Sequence, residues 1–334
     1  VPYDFSINIL EEKLREYKPR NILIQSANGL KKYIPLLVEY IGKILPQSNI
    51  LVSDSPTYGG CDVAEQEAIL VNADVVIHVG HAKYHEPKVN VIFIEARSKL
   101  EVNNNVLSSL VSLIENRGIK SVSIVSTIQH IHEIVKVKNF LEENNLKVII
   151  GPPVGYSRYY GHVLGCEYSP ALRVNDAVEG HVIICGGAFH PIGLGLATGK
   201  PVIKVDPYEN RVIDFTTVVD RILKLRYYTI YRALDAKRFG VIVGSIPSQY
   251  RPNLIEYILS KIRSKGLEAH IIVSERTTLD SMMNIDSNSI DAYIVTSCPR
   301  LPIDDLSEFH KPVLTPGEAK MVLDTGIEEY VFPW

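Results

Sequence analysis

The chain has 334 residues, 46% of them apolar, and a formal net charge of −3, which is the profile of a globular protein with sizeable cores. At roughly 100–200 residues per domain it is long enough for two or three domains. The near-neutral charge argues against a general nucleic-acid partner. No apolar run reaches the ~18–20 residues that span a bilayer. The first segment, VPYDFSINILEEKLREYK, is charged throughout and lacks the apolar stretch of a secretory leader. No membrane association and a cytoplasmic location are the expectation.

In chain order, short β-branched runs alternate with amphipathic helical patterns, the sign of parallel sheets covered by helices. Strands are expected at Asn21–Gln25, Ile50–Val52, Val75–Val79 and Val89–Ile94, with a helix over Leu30–Leu45. Asn103–Gly118 then reads as a polar passage turning helical. The order recurs with strands at Val122–Val125, Lys147–Ile150, Val182–Cys185 and Pro201–Val205. Arg211–Arg238 reads as one long helix, with Val219, Ile222, Leu225, Ile230 and Leu234 on one face and many basic residues outside it. A third round follows at Phe239–Val243, Glu268–Val273, Ala292–Thr296 and Pro312–Leu314. The fold class is therefore α/β, as three similar domains, each a small parallel sheet flanked by helices, arranged around a shared central site. The expected domains are 1–105, 106–210 and 211–334.

Ligands of parallel sheets bind beyond the carboxyl ends of the strands. The loops there hold Cys61, in SPTYGGCD behind Tyr58, Gly59 and Gly60, then Cys166 behind Gly165, and Cys298 in TSCPRLPIDD. One cysteine per repeat, each in such a loop, suggests thiolates converging on a soft metal. Spacing alone leaves buried structural thiols, or zinc held by three Cys and one His, as alternatives. Cys185, inside the apolar run HVIIC, reads as a packed core thiol. The loop GGAFHP offers Gly186 and Gly187 as an anion-binding nest or a simple turn, and His190 as a substrate-binding or proton-carrying group. Gln249 and Arg251 are candidates for binding a carboxylate or phosphate. Phosphate-loop, nucleophile-elbow and dinucleotide fingerprints are absent, which argues against a nucleotide hydrolase, an α/β-hydrolase and an ordinary nicotinamide dehydrogenase.

The segments Asp54–Ala82, Leu164–Ser169, Gly186–Tyr208, Thr296–Asp305 and Val313–Glu318, in this order, resemble the archaeal diphthamide-synthesis enzymes, the 2-(3-amino-3-carboxypropyl)histidine synthase family. The likeness runs over essentially the whole chain. It implies a homodimer and a 4Fe–4S cluster on Cys61, Cys166 and Cys298, with Cys185 on no ligand position. It further implies S-adenosylmethionine as co-substrate, bound at the open iron. One electron from an external donor would then break its bond between sulfur and the aminocarboxypropyl carbon. The radical formed would attack one histidine of translation elongation factor 2. Around that centre the resemblance leaves Tyr58, Gly59, Gly60, Gly186, Gly187, Gln249 and Asp304 as cofactor-binding candidates and His190 as the catalytic one. Arg211–Arg238 is a candidate docking face. The turn Ser26–Leu30 reads SANGL where relatives carry a PEGL-like sequence, and Gly244–Gln249 reads GSIPSQ in place of a GTKPGQ-like loop. A non-catalytic cluster-binding scaffold or electron-relay subunit of the same pathway is the alternative function.

Overall fold

The computed structural model describes residues 2–334. Its strands are β1 (Tyr3–Asp4), β2 (Asn21–Ser26), β3 (Asn49–Val52), β4 (Val75–Val79), β5 (Val91–Ile94), β6 (Arg97–Ser98), β7 (Ser121–Ser126), β8 (Lys147–Ile149), β9 (Gly180–Ile184), β10 (Val202–Asp206), β11 (Arg211–Asp214), β12 (Arg238–Gly244), β13 (Glu268–Ser274), β14 (Ala292–Val295) and β15 (Val313–Leu314). They form three main sheets, ordered β3-β2-β4-β5, β11-β10-β9-β7-β8 and β13-β12-β14-β15, and β1 pairs with β6 in a small ribbon. Within each main sheet the first four strands, in chain order, lie second-first-third-fourth and are parallel. The recurrence read from the sequence is thus a recurrence of topology. In this order the strand sequence reverses between the first and third strands, β2/β4, β7/β9 and β12/β14. A crevice opens there at the carboxyl ends.

The central strands are buried end to end, which is why their sequences are mostly apolar without alternation, His78 and His181 being buried exceptions. The helices flanking the first two sheets are α1 (Ile7–Tyr17), α2 (Ile34–Ile44), α3 (Glu65–Leu70), α4 (Asn104–Asn116), α5 (Ile134–Glu143), α6 (Ser169–Leu172) and α7 (Phe189–Thr198). The rest are α8 (Thr216–Ala233), α9 (Pro252–Ser264), α10 (Leu279–Ile285), α11 (Arg300–Ile303) and α12 (Pro316–Lys320). Helix α2 buries Leu37 and Ile41 on one face, and Pro35 in its first turn suits a position where the N–H has no helical acceptor. The expected helix over Leu30–Leu45 is shorter, because Asn28–Tyr33 winds as a tighter helical stretch before α2 begins.

The expected helix over Arg211–Arg238 is corrected at both ends. Arg211–Asp214 is β11, antiparallel to β10, after a reversal at Asn210, whose φ is +50°. Asparagine tolerates that left-handed conformation better than most residues. Helix α8 runs only from Thr216 to Ala233 and joins two cores: Val219 packs with Cys185 and Leu194, while Ile230 and Ala233 pack with Phe239 and Val241. Its basic residues are not all solvated, for Arg226 is buried and paired with Glu318. Near the end of the chain, Phe332 packs with Tyr168 in the second sheet's core. That brings the last residues to the loops of the second sheet.

Candidate functional site

Three strand-end loops supply the site. The loop after β3 carries Cys61, the long loop after β8 carries Cys166, and the loop after β14 carries Cys298. All three line one cavity of about 550 Å³. Glycine at two positions makes this approach feasible. A side chain on Gly60 would collide with the Ala82 carbonyl, and one on Gly165 would drive into the Phe189 ring. Cys185 lies elsewhere, fully buried among Val125, Val163, Ile183 and Leu194, as expected of a core thiol.

Each thiol has its own donor. Gln249 Nε2 donates to Cys61 Sγ at 3.7 Å. Tyr84 Oη lies 3.7 Å from Cys166 Sγ and accepts from Arg251 Nη2 at 2.8 Å. Arginine only donates, so the tyrosine proton is free to turn to the sulfur, which can only accept once Cys166 is a thiolate. The backbone N–H groups of Arg300 and Leu301 serve Cys298. Around this set, Tyr84 stacks on Tyr156 at 4.0 Å, and the Arg251 guanidinium lies 3.9 Å over the Trp334 ring. Trp334 Nε1 donates to the Cys166 carbonyl at 2.9 Å, and Ser248 donates to the Cys61 carbonyl.

Burial is the main force on the titrating groups here. It pushes the Cys61 thiol well up, assisted by the negative forms of Cys166 and Cys298. It pushes Cys166 up to about 12, with Cys298 adding to it and Tyr84 opposing. Cys298 is also raised by burial, against its two backbone donors. Asp62 is raised by burial and held back by Arg276, 3.5 Å away. Three imidazoles of the cavity wall, His81, His162 and His190, are each lowered to about 4, first by burial. His190 and Arg300 add to this, so all three rings are neutral at pH 7.

Three thiols lining one largely apolar cavity, where the negative form of one opposes ionisation of the next, are a soft donor set that a metal cation stabilises as thiolates. Among the described residues, no three His, Cys, Asp or Glu groups close onto one point at the spacing of a single-ion site. The sulfurs border a cavity and so suit a polynuclear group whose irons each meet a separate thiolate.

Of the residues singled out by sequence, Tyr58, Gly59, Gly60, His190 and Gln249 line the cavity with the three cysteines. Gly186, Gly187 and Asp304 are outside its lining. Gly187 has φ +69°, a turn conformation, and a side chain on Gly186 would press on Tyr208. Asp304 turns to Arg300, with Oδ2 3.0 Å from Nη2, while its neighbour Asp305 borders the cavity. Sequence reasoning missed His162, Tyr84, Tyr156 and Trp334. For His162 the only local signal was its place in the Gly-rich loop leading to Cys166.

The fold and site define a mostly parallel α/β protein that gathers one cysteine from each of three sheets into a single cavity. The match to the diphthamide synthesis protein family covers residues 26–331. The chain belongs to that family, which is a family of enzymes. It is 36% identical over 328 residues to the 2-(3-amino-3-carboxypropyl)histidine synthase of Pyrococcus horikoshii, covering 97% of this chain and 91% of that one. It is 26% identical over 330 residues to subunit 1 of the Homo sapiens synthase, covering 96% of this chain and 72% of the human one. The crystal structure of Dph2 from Pyrococcus horikoshii with a 4Fe–4S cluster matches at a TM-score of 0.87 and 32% identity, over 99% of this chain and 93% of that one.

Proposed function

We propose that the protein transfers the 3-amino-3-carboxypropyl group of S-adenosylmethionine to a histidine of translation elongation factor 2, the first step of diphthamide synthesis. The observation that carries this reading is the meeting of Cys61, Cys166 and Cys298 in one cavity, in a chain so similar to a protein solved with a 4Fe–4S cluster. These three thiolates would hold the cluster. When bound, it supplies an open iron and one electron for breaking the bond between the sulfonium sulfur and the aminocarboxypropyl carbon.

The chain's own residues do the rest. Gln249, Tyr84 and the Arg300 and Leu301 amides direct hydrogen bonds at the three sulfurs, which orients them and tunes their electron density. Arg276 pairs with Asp62 at the wall, and Arg276 and Arg300 are the cavity's lining cations available to a substrate carboxylate. Tyr58 and the Gly59–Gly60 backbone border the same region. Phe189, Leu279 and Leu301 keep the cavity apolar, which shields a reactive fragment from water. Neutral His190 is placed to hydrogen-bond an incoming imidazole.

The three similar sheets support a reading as three domains, 1–105, 106–210 and 211–334, with α8 as the bridge. By likeness to its family the protein would act as a cytoplasmic homodimer served by an external electron donor. The test is anaerobic turnover with iron- and sulfide-reconstituted protein, dithionite, S-adenosylmethionine and elongation factor 2. Methylthioadenosine together with modified histidine is expected. A reducible cluster that yields neither product would overturn the reading in favour of a scaffold.

A further inference from the structure

The geometry points to His81 as the proton acceptor of the transfer, a role set by the direction of the hydrogen bonds behind its ring. The inference rests on the transferase reading above.

The argument begins at Gln25, at the end of β2. Its Nε2 donates to the Asp62 carbonyl at 2.7 Å, and its Oε1 accepts the Ala64 N–H at 2.9 Å. Two backbone groups therefore fix the amide, and turning it over would break both bonds. His78 Nδ1 lies 2.9 Å from the same Oε1. An amide oxygen carries no proton, so the proton of this contact sits on His78 Nδ1. His78 is fully buried and held well below the usual histidine pKa, first by burial, so its ring is neutral and its Nε2 bare. His81 Nδ1 lies 3.0 Å from that bare nitrogen and must donate to it. One proton per neutral ring then leaves His81 Nε2 as an unprotonated lone pair. His81 lines the cavity and is only partly buried.

His162 is set the other way. Its Nδ1 accepts the Arg158 N–H at 3.1 Å, so its proton sits on Nε2, which is buried with no partner in the protein. Of the three imidazoles of the wall, His81 is built to accept and His162 to donate, while no hydrogen bond from the described residues fixes the ring of His190. Of the two rings that are fixed, His81 alone can take a proton at its free nitrogen without already holding one there.

The overall transfer releases one proton. The sulfonium carbon–sulfur bond breaks and its electron pair ends on sulfur as a neutral thioether. A carbon–carbon bond forms at the substrate's ring carbon, and the hydrogen of that carbon departs as H⁺. Whatever the order of the electron movements, the sum is redox-neutral. A bare imidazole nitrogen in a largely apolar cavity is suited to receive that proton. As the imidazolium forms, its Nδ1–H is already donated to His78, whose own proton is donated to the fixed Gln25 oxygen. The charge is thereby shared along a prepared line.

The experiment has two arms. Nitrogen NMR of ring-labelled histidine, on protein without cluster, reads the tautomers directly: His81 is expected protonated at Nδ1 and bare at Nε2, and His162 the reverse. In reconstituted enzyme, His81→Gln keeps a polar acceptor that cannot be protonated near neutral pH. Its ratio of modified histidine to methylthioadenosine is expected to fall about 100-fold, the scale of a lost general base. His81→Ala should show the same fall, partly restored by added free imidazole. A protonated Nε2 on His81 would overturn the proposal, as would ratios within about threefold of wild type in both variants. Should His81→Ala fail to fold, the His81→Gln ratio and the tautomer decide. Wild-type protein making neither product would instead overturn the transferase reading, and would leave the tautomer result standing.

Discussion

Replacing Arg226 by Met tests how the third sheet holds Cys298. Arg226 Nε and Nη2 bond both oxygens of Glu318, at 2.8 and 2.6 Å. Nη1 reaches the Pro302 carbonyl at 2.8 Å and Nη2 the Val313 carbonyl at 2.7 Å. Glu318 is itself wholly buried, and it also accepts from the Thr315 N–H at 2.8 Å and Tyr330 Oη at 2.7 Å. Removing the arginine strands a carboxylate and two carbonyls away from water. Breaking a buried pair in this way costs about 3–5 kcal/mol. At a slope of roughly 3 kcal/mol per molar urea, the midpoint should drop by about 1–2 M. Trp334 is the only tryptophan, and it is held between Arg251, just before α9, and the Cys166 carbonyl of the second sheet's loop, so its fluorescence follows the transition. Adding Glu318→Gln removes the stranded charge and should return about 1–2 kcal/mol, since much of the cost is the unpaired partner. Because Pro302 belongs to α11, just beyond Cys298, iron content after reconstitution should fall in the single variant and recover in the double. A loss below about 1 kcal/mol, or a double variant less stable than the single, would refute the reasoning.

Alanine at Cys61, Cys166 or Cys298 is expected to abolish an intact cluster, whereas Cys185→Ala should keep it and lose about 1 kcal/mol for one buried sulfur; iron and sulfide analysis separates the two classes. Tyr84→Phe removes the hydrogen bond to the Cys166 sulfur, and an EPR-monitored redox titration should find the cluster harder to reduce, because that bond favours the more negative state. The Arg238 guanidinium, with the Lys237 and Arg238 amides, holds Asp291 down at about 2. The sign is that of a depressed carboxylate: its contribution is in full force above the unfolded value of about 3.9 and fades as pH falls toward 2. Acid titration of stability in Asp291→Asn should therefore show a shallower loss between those values.

Much of the fold was legible because burial on both sheet faces leaves short, mostly apolar runs rich in β-branched and aromatic residues, so Val75–Val79 and Ala292–Val295 stand out without a partner in view. The failure at Arg211–Asp214 has an equally local cause. Four residues before a strong helical pattern were absorbed into it, and only the pairing with β10 shows them as an edge strand. For the site, glycine before the cysteine marked the loops of Cys61 and Cys166, a place just past a strand marked Cys298, and an in-strand position marked Cys185 as different. What could not be read was direction. Asp304 and Asp305 are adjacent, and which one borders the cavity depends on how a four-residue helix is seated.

The sequence by itself determined the repeating α/β order, the three loop cysteines and the apolar cores, since each depends on local periodicity or on a residue's own chemistry. Tertiary structure alone decided how the site is finished. Tyr84 serves Cys166 from 82 positions away, Trp334 from 168, and Gln249 serves Cys61 from 188. The tautomer of His81 is likewise set through Gln25, 53 positions before His78. A hydrogen bond's direction depends on where the partner's lone pairs lie in space, and nothing in the order of residues along a chain carries that information.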